Sequence, residues 1–338
     1  MKQVNLIAKI LVITFAAMVL LTACSGGNSG NNTNTGAGGW TDISVDDLNY
    51  KYNAELEGIS IEKYKGKNAL KVRIPDKIDG YPVVKIGNAA FSGEFGGAGG
   101  GIKEIHIPET VVELGNNAFN SSGLTNINLP AGLKEIGEAA FQHCVGLTSI
   151  VIPDGVEGIK SRMFQGCTRL ESVTIPNSVT WIGSAFNGCT SLTSINIPYS
   201  VTYLDVTSFS DCTSLTEIIV DSNNAEFADI DGVLFSKDKS TLLKFPEGRG
   251  GVYIVPDVVT RIAENAFDNN QYLTSVILPN STTGIEQNAF SFCVNLTSVT
   301  LPSSITNIVA NSFWQCGSLD DATIQRILEI NPDAVFDE

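Results

Sequence analysis

IPNSVTWIGSAFNGC, residues 175–189, would pass for a strand end, a turn and a short helix if it stood alone. IPDGVEGIKSRMFQGC at 152–167 precedes it, IPYSVTYLDVTSFSDC at 197–212 follows it, and LPSSITNIVANSFWQC at 301–316 says it again. The marker prolines Pro108, Pro130, Pro153, Pro176 and Pro198, then Pro256, Pro279 and Pro302, keep steps of 22 or 23 residues within each block. The marker aromatics keep the same step, from Phe119, Phe141, Phe164, Phe186 and Phe209 to Phe267, Phe290 and Phe313. Both series jump 58 residues between blocks, room for one enlarged unit. Self-similarity at a fixed period is the signature of a stacked repeat architecture.

The unit reads L-x-x-I-x-I-P-x-x-V-x-x-I-G-x-x-A-F-x-x-C, as at Leu192 to Pro198 for its first part. L-x-x-I-x-I alternates apolar and polar residues as a half-buried strand does, and the proline ends it by removing the next amide donor. V-x-x-I-G-x-x-A-F spaces its apolar residues for a turn or a short 3₁₀ segment. No unit buries these residues alone. Stacked in register, Leu on Leu and Phe on Phe, they make a continuous core with parallel strands about 4.8 Å apart. The expected fold is a repeat solenoid of about ten coils, with a parallel β-sheet on one face and turns and short 3₁₀ segments on the other.

A period of 22–23 falls in the 20–29 range of leucine-rich repeats. The I-P, I-G and A-F-x-x-C letters together resemble the BspA-type repeats of bacterial surface proteins, over about Ile59 to Leu319. That resemblance implies a cell-surface adhesin that contacts host matrix proteins or other cells. The pattern departs at three places. The first unit, Ile74-Pro75 to Phe91, carries an inserted turn at Ile78 to Pro82 and the glycine run Gly96 to Gly101. The unit at 221–255 has Asp221 at the proline place and VLFSKDKSTLLKF, which reads as a hairpin. At the ends, Tyr50 to Val72 reads as a β-rich cap with turns at Gly58 and Gly66. Ser318-Leu-Asp-Asp321 reads as a capping box that opens a short helix with Ile324, Ile327 and Leu328 on one face.

Ahead of the solenoid, Lys2 and Lys9 flank an apolar run from Ile10 to Leu21, signal-peptide length and too short to span a bilayer. The run ends in Leu21-Thr22-Ala23-Cys24, which resembles the bacterial lipobox and implies lipidation at Cys24. The expected organisation is a lipoprotein signal peptide at 1–23, a Gly/Asn/Ser-rich tether at 24–39, and an N-terminal cap with a modified repeat at 40–101. The solenoid follows at 102–319, and a cap helix and tail at 320–338. The tether has no apolar side chain larger than Ala from Ser25 to Gly39, so it is expected to stay flexible with a reach of about 20 Å.

The formal charge is -15, and -17 without the leader, so the clustered Lys and Arg that nucleic-acid binding needs are missing. The partner classes left are an extracellular protein, host matrix included, or a glycan, with the membrane reached through Cys24. The composition calls for no cofactor. Cys144, Cys167, Cys189, Cys212, Cys293 and Cys316 all lie three residues after the marker Phe. Such a ladder cannot wrap a zinc ion, and Ser122 and Asn270 take the same place elsewhere, so buried structural thiols and some disulfide pairing are both open readings. His106 and His143 fall in different columns, and a His143–Cys144 dyad would need two adjacent side chains to converge. Gly96 to Gly101 lacks the G-K-[ST] of a phosphate loop. Asp229-Ile-Asp231-Gly232 is a turn or, with further oxygens, a calcium loop.

No nucleophile–base pair, metal cluster or cofactor loop is legible, which argues against an enzyme. The outward strand places hold His106, Asn128, Val151, Thr174, Asn196, Ile219, Ile277 and Thr300, a flat face that is either a recognition surface or solvated sheet. The place before I-G holds Lys85, Glu113, Glu135, Gly158, Trp181, Tyr203, Arg261, Gly284 and Asn307. Trp181 and Tyr203 are consecutive in it and are expected to stack. With Tyr199 they form a binding hot spot or a sugar platform, or merely cover the edge of the core; Asn196 and Thr174 are the neighbouring polar candidates.

Overall fold

A computed structural model describes residues 35–36, 39–66, 69–94 and 98–336. The leader, Cys24 and most of the tether lie outside the described residues, as do Gly96 and Gly97.

Each coil begins with the strand that the alternation predicts. Ser149–Val151 pairs with Ser172–Thr174, Ser194–Ile197 with Glu217–Val220, and Leu273–Ile277 with Ser298–Thr300, all parallel and offset by one repeat. Alternation sets the burial: in Ser172–Thr174 only Val173 points inward. The second half of the repeat holds more than turns. The x-I of x-I-G forms two-residue strands in a second parallel ladder, in which Trp181 faces Gly158 and Tyr203 faces Trp181 across strands. The residue after that strand closes it, as where Gly183 N donates to Ile159 O at 2.8 Å.

The third side turns through left-handed backbone. The place two before the Phe has positive φ at Ala89, Asn117, Ala139, Arg162, Asn265 and Asn288. The place two after it does so at Ser121, His143, Gly166, Gly188, Asp211, Asn269, Phe292 and Gln315. Gly and Asn tolerate that conformation best, and the other residues there accept a strain of about 1–2 kcal/mol each. Between these turns the Phe rings stack as a column. Phe141 and Phe164 lie 5.7 Å apart at 3°, Phe164 and Phe186 5.4 Å apart at 8°. Tyr64 starts the column and Phe245 supplies the rung of the enlarged unit, which brings the stack to about eleven coils, in keeping with the expected solenoid.

The hairpin expected in VLFSKDKSTLLKF forms, Val233–Ser236 against Thr241–Lys244, and Phe227–Ile230 adds a third antiparallel strand that makes the enlarged unit a meander. Thr241–Lys244 re-enters the second ladder against Arg261–Ile262. The core divides here into one cluster from Ile43 to Leu234 and another from Val233 to Ile327. The strand edge of Glu217–Val220 is closed by the meander: Ile218 N donates to Gly232 O, and Val220 N to Asp229 Oδ1 at 3.0 Å.

Both ends are capped. At the front Leu48–Asn53 and Gly58–Tyr64 form an antiparallel hairpin, whose turn precedes Gly58. At the back the helix is Asp321–Ile330, and Asp320 caps it by accepting from Thr323 N at 2.7 Å. The expected Ser318 capping box is not formed, because Ser318 Oγ donates to Val294 O of the preceding coil instead. Thr323 and Ile327 face the core, while Leu328 is exposed.

Candidate binding surface

Trp181 is the focus of the outer face, and its geometry departs from the expected stack. Gly158 stands opposite it, one coil back. A Cβ placed on Gly158 would lie 2.1 Å from Cε2, 2.3 Å from Nε1 and 2.4 Å from Cζ2 of Trp181. Three ring atoms at nearly equal range mean that the indole covers the glycine with its face. The ring therefore folds back over the Gly158 strand, and among the described residues no ring pair joins it to Tyr203. The physical reason is room: Gly158 has no side chain, so apolar backbone surface is available behind Trp181. The sequence signal for this was a Gly one repeat ahead of a Trp in the same column. Trp181 keeps 36% of its surface exposed, Tyr203 59% and Tyr199 49%.

Beside the indole is a groove of about 390 Å³, bounded by Lys134, Glu135, Gly155, Glu157, Gly158 and Lys160. Lys160 Nζ and Glu135 Oε1 pair across it at 2.5 Å. The groove exists because the second ladder opens at this junction. Gly137 N reaches Leu114 O at 2.8 Å and Gly183 N reaches Ile159 O, but among the described residues no such bond joins Lys160 to Ile136. The first ladder opens between the same two coils. There a second groove of about 410 Å³ runs between Asn126–Leu129 and Ser149–Asp154. The Phe side of these coils stays closed, with Phe141 N to Met163 O at 3.0 Å.

Thr174 and Asn196 hold equivalent outward places in successive coils of the first ladder, and both are exposed. The proline corner separates them from Trp181 and Tyr203, which belong to the second ladder. Tyr199 lies in the corner itself.

The six repeat cysteines are buried and unpaired. Each thiol donates to the carbonyl of a Phe one coil back, at 2.9–3.3 Å. Burial pushes the Cys144, Cys189 and Cys316 thiols up to about 12. His143 is exposed at a left-handed turn and its ring lies against Gly166, whereas Cys144 points into the core, so the two diverge. His106 is exposed on the first ladder. Asp231 and Gly232 both have positive φ and join two strands as a tight hairpin turn, and Asp229 uses its carboxylate on backbone amides.

Sequence reasoning missed one buried ion pair. Lys244 and Glu247 are almost fully enclosed at the meander, with Nζ 3.2 Å from Oε1, and Glu247 Oε2 has no partner. Desolvation raises the Glu247 carboxyl to about 7 against the pull of Lys244.

The repeat pattern matches the family model described as the BspA type leucine rich repeat region, in six copies over residues 57–184, 134–248 and 252–338. The chain belongs to the BspA-type leucine-rich-repeat family. Among solved structures it is similar to the pneumococcal vaccine antigen PcpA, at 25% identity and TM-score 0.70, over 82% of this chain and 74% of that one. It is also similar to a leucine rich cell surface protein from Faecalibacterium prausnitzii A2-165, at 29% identity and TM-score 0.62, over 82% of this chain and 87% of that one. A leucine-rich repeat protein from Bacteroides ovatus shares the fold at 23% identity and TM-score 0.52, over 82% of this chain and 81% of that one. No curated protein matches the chain. BspA-type repeat proteins typically act at the cell surface in adhesion or protein binding, and their fold is in general non-enzymatic. Among the described residues no helix is long and apolar enough to cross a membrane.

Proposed function

We propose that this BspA-type protein is a binding and adhesion module of the bacterial cell surface, held to the membrane by acylation at Cys24. Its solenoid presents an extracellular protein partner with a rigid outer face. The observation that carries this reading is Trp181, a large aromatic side chain fixed against Gly158 and still open to solvent on a scaffold of stacked coils. Fixed, half-exposed aromatics are what interface hot spots are made of, because little conformational entropy is lost when they are covered. Family membership supports the same reading.

The test is a binding screen of soluble residues 25–338 against immobilised extracellular-matrix proteins and a glycan array, with Trp181→Ala/Tyr203→Ala in parallel. Saturable binding weakened at least about 30-fold in the double variant, or about 2 kcal/mol, is expected. Folded protein that binds nothing saturably on either surface sinks the proposal. The anchor is tested separately: Cys24→Ser is expected to move the protein from the membrane fraction, and unchanged retention would refute acylation there.

A further inference from the structure

Four features converge at the opening between the coils of Glu135 and Gly158. The indole of Trp181 is pinned by one face on the Gly158 backbone, which fixes its orientation before any ligand arrives. The groove it borders, about 390 Å³, lies within the size range of small-molecule sites. Its walls carry Lys134 and Glu157 as well as the Lys160–Glu135 pair. Two ammonium and two carboxylate groups leave the site close to neutral, yet rich in donors and acceptors. Among the described residues the ladder bond from Lys160 to Ile136 is not made, so the two strands are not joined at this opening.

The ligand must then offer an apolar face for an aromatic ring and many hydroxyls at its rim. An extended peptide does not fit between the coils. Admitting a strand requires its neighbours to stand about 9.6 Å apart, twice the strand spacing. Phe141 N to Met163 O at 3.0 Å and His143 N to Gln165 O at 2.7 Å keep these coils in direct contact on the Phe side. A compact anion would meet Glu135 and Glu157 as well as Lys134 and Lys160, and gains no net attraction from a site whose charges balance. We infer that this groove is a carbohydrate subsite, in which one pyranose ring packs its C–H face against Trp181 and its hydroxyls bond to Glu157, Lys134 and the Lys160–Glu135 pair. The inference rests on the reading of the solenoid as a surface binding module and names one chemistry that module recognises, a glycosyl residue free or carried on a protein partner.

Residues 25–338 are titrated with the methyl glycosides of glucose, galactose, mannose and N-acetylglucosamine and applied to a glycan array, with binding read by Trp fluorescence and saturation-transfer NMR. At least one sugar is expected to saturate in the millimolar range, as suits a single-ring contact. Trp181→Ala and Gly158→Ala, the latter by lifting the indole off its floor, are expected to weaken it at least about 10-fold, whereas Trp181→Phe retains part of the affinity. Should either alanine variant misfold, Glu157→Gln and Lys134→Met at the exposed rim provide the same comparison. Sugar binding that survives all of these changes overturns the site. Silence to every glycan, with binding to matrix proteins intact, overturns the carbohydrate inference and leaves the binding module standing. Silence to both removes the module reading as well.

Discussion

The Sγ of Cys167 lies 3.1 Å from the carbonyl oxygen of Phe141, one coil back. The same bond recurs from Cys189 to Phe164 and from Cys212 to Phe186, so thiols and Phe carbonyls knit the column coil by coil. The sulfurs are structural donors in a dry core. Residues 25–338 in native buffer are therefore expected to resist iodoacetamide at all six cysteines, and to take six labels once denatured. Fast labelling of any one without unfolding would show that the column is open there.

The same burial predicts alkaline lability. Cys144, Cys189 and Cys316 hold their protons to about pH 12, and burial pushes Cys167, Cys212 and Cys293 up as well, whereas an unfolded thiol releases its proton near 8.5. A raised folded value contributes stability that is whole below 8.5 and is lost as pH climbs toward 12. Each of Cys144, Cys189 and Cys316 is worth about 1.4 kcal/mol per pH unit in that window, the three together about 4, and the other three thiols act in the same direction. Cooperative unfolding about one to two units above pH 8.5 is expected by circular dichroism. Cys189→Ala should lower the slope by one proton, and an unchanged slope would refute the assignment.

Phe164 is sandwiched between Phe141 and Phe186 and is fully buried. Phe164→Ala should cost about 3–5 kcal/mol and, because coils contact only their neighbours, open the stack locally before the rest unfolds. Gly188→Ala tests the adjacent turn. Its φ is +74° and no atom lies within 3.4 Å of an added Cβ, so the cost is backbone strain alone, about 1 kcal/mol. Denaturant titration separates the two, with a biphasic curve expected only for Phe164→Ala.

How far the fold could be read in advance depended on what repeats. The Leu–Ile–Ile strand and the Phe and Cys columns recur in register, so each copy confirms the others and the solenoid is legible from periodicity. The left-handed turns were also periodic, yet they are filled by Gly, Asn, Ala, Ser, Arg, His, Asp, Phe and Gln, which share a backbone conformation and no side-chain chemistry. The second ladder escaped notice because two residues are too short to show alternation. At the candidate site Trp181 was evident as an odd letter in a polar column. Its orientation was not read, although Gly158 stands beside it in the same column, because a column of letters does not say to which neighbour a ring leans. The meander broke the period, so Phe245 went unrecognised as a rung and Lys244–Glu247 as a buried pair.

That pair carries the last prediction. Glu247 holds its proton to about pH 7, above the ordinary carboxylate range, because desolvation outweighs the attraction of Lys244. Asp268, raised by the same cause, adds in the same direction. The native state thus keeps protons that the unfolded chain gives up above about pH 4.3. The stabilisation is complete below that value, declines between about 4.3 and 7 and is flat beyond, with about 4 kcal/mol at stake for Glu247. Glu247→Gln should remove most of this slope between pH 4.5 and 7. Lys244→Met leaves the carboxyl without its cation, so it should be tolerated better at pH 5, where Glu247 is neutral, than at pH 8, where a bare charge must be buried. Replacing both, as Lys244→Met/Glu247→Leu, removes two buried charges and the orphaned Oε2 together, and should restore wild-type stability or exceed it. Urea unfolding at pH 5 and pH 8 decides: a double variant weaker than either single variant would mean that the pair is net stabilising and that its geometry, not its desolvation, governs the meander.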